Sequence, residues 1–117
     1  MHELGIVFHA IDILEETARQ HGISRITRVT LELGEVSGVV TEFFEDAWKW
    51  ATDKRDLLRD AQLDIKTLPA ITVCNGCGRT YPTVAHGRIC PYCQSEDTEL
   101  LCGRELNIAE IECPDVQ

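Results

Sequence analysis

The chain has 117 residues, 44% hydrophobic and 26% charged, which suits one compact domain or one domain with a small insertion and excludes disorder along most of its length. Its formal net charge of −9, from 20 acidic and 11 basic residues, opposes nucleic-acid binding, which needs Lys and Arg to displace counterions from phosphates. It suits instead basic protein partners or a cationic metal cargo.

Residues 4 to 20 carry a helical period. Leu4, Val7, Ile11, Leu14 and Ala18 recur at spacings of three and four and predict one buried face, with Gly22 as the stop. Residues 26 to 34 alternate, with Thr27, Val29, Leu31 and Leu33 on one side and Arg28, Thr30 and Glu32 on the other, which predicts a half-buried strand. Gly34-Glu35-Val36-Ser37-Gly38 reads as a turn or loop. Thr41 is the expected cap of a second helix, with Phe44, Ala47, Trp48 and Ala51 on its buried face. The charged stretch from Asp53 to Asp60 either continues that helix or loosens. Residues 62 to 68 predict a second strand, with Leu63 and Ile65 inward and Pro69 ending it. From about Ile71 to Leu101 Gly, Pro, Cys and polar residues dominate, and apolar periodicity weakens. Strand-like sequence returns from Glu105 to Glu112, with a slip near Ala109 that fits a bulge.

The expected fold class is α+β: two helices on a small mixed or antiparallel three-stranded sheet, with an inserted four-cysteine, zinc-ribbon-like module. Residues 1–70 plus 102–117 are assigned to the α/β domain and residues 71–101 to the insert. No apolar run approaches the roughly 18 residues of a membrane span, and the opening residues lack a basic segment or a cleavage signature. The expectation is a cytoplasmic protein that engages neither membrane nor nucleic acid.

The insert carries the clearest chemistry. Cys74-Asn75-Gly76-Cys77 and Cys90-Pro91-Tyr92-Cys93 are two C-x-x-C knuckles separated by twelve residues. In a reducing compartment such pairs indicate metal binding rather than disulfides. Four thiolates close a tetrahedral shell around zinc, and the ion replaces a core that so short and polar a segment cannot build. Gly76 and Gly78 are expected to supply left-handed turns, and Tyr81 and Pro82 to sit at the rim of a hairpin. An iron-loaded, rubredoxin-like electron carrier is a competing assignment of the same knuckles. A glutaredoxin-type role for Cys90-Pro-Tyr-Cys93 is another, but no strand-like segment precedes it. Cys102 and Cys113 fall outside the knuckles. His9 is expected at the surface or the edge of the core, His21 as a helix-end cation favoured by the dipole, and His86 as either a donor to the metal ligands or a solvated side chain.

Met1-His2-Glu3 forms a second constellation. A bulky second residue protects the initiator Met. The α-amine, the His2 amide nitrogen and the His2 imidazole then form consecutive chelate rings that suit square-planar nickel(II) or copper(II), with Glu3 offering an oxygen. Spacing alone favours reading His2 as an ordinary exposed side chain.

Together, Met1-His2-Glu3-Leu4, the segment from Leu31 to Val40 (LELGEVSGVV) and the two knuckles resemble the HypA/HybF family of nickel–iron hydrogenase maturation proteins, over nearly the whole chain. The resemblance implies a nickel metallochaperone rather than an enzyme. It places nickel at His2 with Met1 and Glu3, in the domain of residues 1–70 plus 102–117, and structural zinc at Cys74, Cys77, Cys90 and Cys93. It implies a HypB-like GTPase and the hydrogenase large subunit as partners, and urease maturation in some relatives. A monomer or a weak or domain-swapped dimer is expected, since a small module joined by short hinges can exchange between chains. Where some relatives carry a polar residue after the first strand, this chain has Val39 and Val40, which cannot ligate. Two readings from other classes are a zinc-ribbon interaction module and a small redox protein.

Overall fold

A computed structural model describes residues 3–114. The elements in chain order are α1 (Glu3–His21), β1 (Arg28–Gly34), α2 (Thr41–Thr52), β2 (Gln62–Leu68), β3 (Ile71–Cys74), β4 (Thr80–Pro82), α3 (Thr83–His86), β5 (Thr98–Cys102) and β6 (Leu106–Glu112). They form two three-stranded sheets, ordered β2-β1-β6 and β4-β3-β5. The mixed α+β class is as expected, with one more short helix and one more sheet than the sequence pattern predicts.

In the first sheet, Gln62 N–H bonds Thr27 O and Glu35 N–H bonds Leu68 O, so β1 and β2 run parallel. Thr27 N–H bonds Glu112 O and Gly34 N–H bonds Glu105 O, so β6 runs antiparallel to β1. A parallel pair needs a crossover, and α2 with its following turns is that crossover. Arg28 on the central strand reaches Asp64 at 2.6 Å and Glu112 at 3.6 Å, one on each neighbouring strand. Asp64, ahead of Glu112, holds the guanidinium pKa above its ordinary value.

The chain divides into two compact units, one of Met1–Leu31, Val39–Ile65 and Ile108–Gln117, the other of Glu32–Gly38 and Lys66–Asn107. The first unit has its core where α1 packs on α2. Val7, Ile11, Leu14, Ile26, Val29, Leu31, Phe44, Trp48 and Leu58 are all essentially inaccessible, and the aliphatic and Phe side chains among them each contribute about 1.5–3 kcal/mol by leaving water. Helix α1 ends as expected: Gly22 takes φ +65° and Ile23 N–H returns to Ala18 O at 2.9 Å, closing the last turn. Its buried face is rotated slightly from the predicted one. Leu4 is 42% exposed at the edge of the arc, while Ala10 and the carboxyl-bearing Glu3 are buried. Thr30, expected outward, is also buried, on the central strand of the sheet between β2 and β6. Thr41 does not cap α2: it is the first helical residue, and Val40 holds the cap position with no side-chain bond of its own. Residues 53–60 loosen into turns that place the buried Leu58.

In the second unit β3 pairs antiparallel with β4 (Thr72 opposite Tyr81) and with β5 (Cys74 opposite Thr98), with a register shift between Ile71 and Thr72. Strands of three to five residues give too few alternations to register as a sequence pattern, which is why this sheet was invisible there. Tyr81 is not at a rim. It is 2% exposed and packs in a small core with Cys74 and Cys90, since β4 alternates exposed, buried, exposed.

Candidate metal centre

Cys74 is the last residue of β3, and the other three cysteines lie in loops. The two knuckles share one backbone scheme. After the first, Gly78 N–H returns to Cys74 O at 2.8 Å and Cys74 N–H bonds Arg79 O at 2.9 Å. After the second, Gln94 N–H returns to Cys90 O at 2.9 Å and Cys90 N–H bonds Ser95 O at 3.0 Å. Gly78 and Gln94 occupy matching positions and both are left-handed, at φ +78° and +62°. Glycine meets that demand without cost, whereas Gln94 meets it at about 1–2 kcal/mol. Gly76, expected to be left-handed too, is not.

The scheme points amide hydrogens at sulfur. Cys77 N–H faces Cys74 Sγ and Tyr92 N–H faces Cys90 Sγ, each at 3.4 Å. All four Sγ atoms lie within 4.8 Å of one another, with Cys74–Cys93 at 3.5 Å and Cys77–Cys90 at 3.7 Å. Four thiolates at 2.3 Å from a tetrahedral ion stand about 3.8 Å apart, so the cluster fits such an ion closely. Cys74 and Cys90 are fully buried, while Cys77 and Cys93 are exposed.

Charge makes the same point. The Cys77 amide, despite burial and with help from the Cys93 thiol and the Gly76 amide, lowers the Cys74 pKa to about 7. At Cys93 the Ser95 amide favours the thiolate, but Cys74, burial, Cys90 and Cys77 together oppose it, and the pKa rises to about 12. Thiols this crowded do not all ionise on their own, and a divalent cation removes the conflict. With four sulfurs committed, no position is left for a reacting water.

The surroundings hold the knuckles in place. Asn75 Nδ2 donates to Asp97 Oδ1 at 3.1 Å, and Thr98 Oγ1 donates to Arg88 O at 2.8 Å. Tyr81 OH donates to Gly87 O at 3.0 Å. The Arg79 guanidinium lies 4.8 Å from the Tyr92 ring centroid, a cation–π contact on the outer side of the second knuckle. His86 is exposed and sits edge-on to Tyr81, its ring 5.9 Å away, so it touches the core of the module rather than the sulfurs. The paired knuckles announced the four cysteines, but nothing in the sequence announced the tyrosine behind them or the Asn75–Asp97 bond.

Met1 and His2 lie outside the described residues. Glu3 is 7% exposed, and its Oε2 accepts the Val40 N–H at 3.2 Å. The first residue of α1 thus meets the stretch where Val39 and Val40 stand in place of a ligating side chain. Cys102 and Cys113 are half-buried and outside the cluster, with Cys102 Sγ 3.7 Å from Pro69 O. Among the described residues, the four knuckle cysteines are the one group of three or more potential ligands that converge.

Comparison with known proteins agrees with this arrangement. A family model described as hydrogenase/urease nickel incorporation, metallochaperone, hypA, matches residues 1–113. The chain belongs to the HypA family. It is 34% identical over 118 residues to the hydrogenase maturation factor HypA of Dehalococcoides mccartyi, covering 98% of this chain and 96% of that protein. It is 33% identical over 112 residues to the hydrogenase maturation factor HybF of Klebsiella pneumoniae, covering 96% and 98%. The solution structure of the Ni metallochaperone HypA from Helicobacter pylori superposes with a TM-score of 0.74 at 26% identity, over 97% of each chain. Membership in this family of nickel-incorporation metallochaperones accords with a four-cysteine site built for a metal ion.

Proposed function

We propose that this protein binds Ni(II) at its N-terminus through Met1 and His2, supported by Glu3, and delivers it during nickel–iron hydrogenase maturation without catalysing a reaction. Zinc is the resident ion at Cys74, Cys77, Cys90 and Cys93. It supplies a structural cross-link, and no step of delivery runs through it. The observation that carries this reading is the four-thiolate cluster itself. It consumes the soft donors in a closed shell, so a cargo that must leave again is assigned to a separate, shallower nitrogen site. Glu3 supports the assignment, because its buried carboxylate anchors the start of α1 at Val40.

On this reading residues 1–70 plus 102–117 handle nickel and residues 71–101 form the zinc module. A HypB-like GTPase and the hydrogenase large subunit are the partners, in the cytoplasm, for a monomer or a weak or domain-swapped dimer.

Calorimetric titration of tag-free, zinc-loaded protein with Ni(II) tests the proposal, beside His2→Ala and a variant extended by one residue before Met1. The expected result is about one nickel per chain, lost in both variants. Equal binding by all three proteins places the cargo elsewhere and sinks the N-terminal chelate.

A further inference from the structure

The second unit holds a cavity of about 420 Å³ lined by two arginines sixteen residues apart in sequence, Arg88 and Arg104. Three threonines, Thr72, Thr83 and Thr98, supply hydroxyls to its lining, and the remaining lining is apolar or glycine. No carboxylate lines it. In a chain with 20 acidic and 11 basic residues, a concave site with two cations and no anion is far from the average surface. Among the described residues, neither guanidinium takes part in an ion pair.

The acids adjacent in sequence to the lining residues each have another partner. Glu35 Oε1 accepts the Ala70 N–H and Glu105 Oε1 accepts the Gly103 N–H, each at 2.8 Å, while Asp97 Oδ1 and Glu99 Oε1 accept from Asn75 Nδ2 at 3.1 and 3.4 Å. The hydroxyls also leave a donor over. Thr72 Oγ1 and Thr83 Oγ1 are 2.6 Å apart and share one hydrogen bond, so one of their two protons remains for another acceptor. Thr72 is 3% exposed, so that pair is built into the fold rather than scattered on its surface.

We propose that this cavity is a binding site for a phosphate-type oxyanion, held by the guanidinium forks of Arg88 and Arg104 and by a hydroxyl of the Thr72–Thr83 pair. Planar guanidinium groups match tetrahedral oxyanions with paired N–H donors, where a lysine offers only a point charge. The site is chemically complementary to the cysteine cluster, since one attracts a cation and the other an anion, and it does not depend on where nickel binds.

The test uses the full-length, metal-loaded protein and inorganic phosphate, titrated by calorimetry at an ionic strength held constant with chloride. Saturable binding of one phosphate per chain is expected, weakened about tenfold in Arg88→Gln and in Arg104→Gln, the lower range for losing one charge-assisted hydrogen bond. Phosphate should also shield both arginines of the parent protein from phenylglyoxal, a readout that needs no variant to fold. Phenyl phosphate is the second arm. Binding as tight as phosphate indicates a phosphoryl group carried on a larger molecule, and refusal indicates the free ion. A response no different from that of added chloride, or variants that bind as the parent does without arginine protection, overturns the proposal.

Discussion

Gly34, at the end of β1, gives a quantitative test of how the second unit is packed. A Cβ added there would lie 2.0 Å from Gly103 O, 2.1 Å from Gly103 C and 2.6 Å from Arg104 N. An ordinary carbon–oxygen contact needs about 3.3 Å, so Gly34→Ala requires a displacement of more than about 1 Å. Every clashing atom is main chain, so no side chain can rotate away. The displaced segments carry the bonds from Gly34 N–H to Glu105 O and from Val36 N–H to Gly103 O, both 2.8 Å. Overpacking costs about 1–3 kcal/mol, and each buried backbone group left unpaired adds about 1–3 kcal/mol. The lower entropy of an unfolded chain with alanine returns less than about 1 kcal/mol. A net loss of about 3–5 kcal/mol is expected, a large share of the roughly 5–15 kcal/mol that holds a domain together. Urea unfolding of the metal-loaded protein, followed by far-ultraviolet circular dichroism, measures it. Gly5→Ala is the paired control: Gly5 lies inside α1 with nothing within 4 Å of an added Cβ, and that change should stabilise by about 0.5–1 kcal/mol. A Gly34→Ala protein within about 1 kcal/mol of the parent would refute the close approach of Gly34 and Gly103.

Zinc affinity should depend steeply on pH. Cys93 in the metal-free cluster, with its pKa near 12, must give up a proton to bind, and Cys74, near 7, must do so only below neutrality. From these two residues alone, affinity rises about tenfold per pH unit above pH 7 and about a hundredfold per unit below it. Competition with a chromophoric chelator across pH 6–9 reads the slope, and a flat profile contradicts the thiolate assignment. At the other end of the chain, Glu3→Ala removes the acceptor of the Val40 N–H and should cost about 1–2 kcal/mol in thermal unfolding, while Glu3→Gln, whose amide oxygen still accepts, should cost less than half as much. Equal losses would show that the bond contributes little.

The parts legible in the sequence were those with long or rigid signatures. Helix α1 runs nineteen residues, enough turns for its stripe to stand out, and its end was marked by Gly22. The knuckles were legible because two residues between thiolates is a geometric requirement rather than a statistical tendency. Short-range signals misled where tertiary contacts decide. Thr41 had the chemistry of a cap, yet the amide before it is served from thirty-seven positions away by Glu3. Gly34 read as a turn residue, but its role is to let Gly103 approach, a partner no local pattern reveals. Tyr81 read as the rim of a hairpin, and only the pairing of β4 with β3 brings it to Cys74 and Cys90.

The spacing of the knuckles sets how the module responds to its surroundings. An ion joining Cys77 to Cys90 closes a loop over the twelve residues between them. A disulfide at the same places would restrict the unfolded chain by about 3 kcal/mol, but glutathione would open it in a reducing compartment. Zinc has no redox chemistry of its own, so a zinc-held loop would withstand the reductants that open a disulfide, while oxidation of its thiolates would release the ion. Under reducing conditions it would answer to acidity and to competing ligands, the same two influences that would govern release from the proposed nickel site.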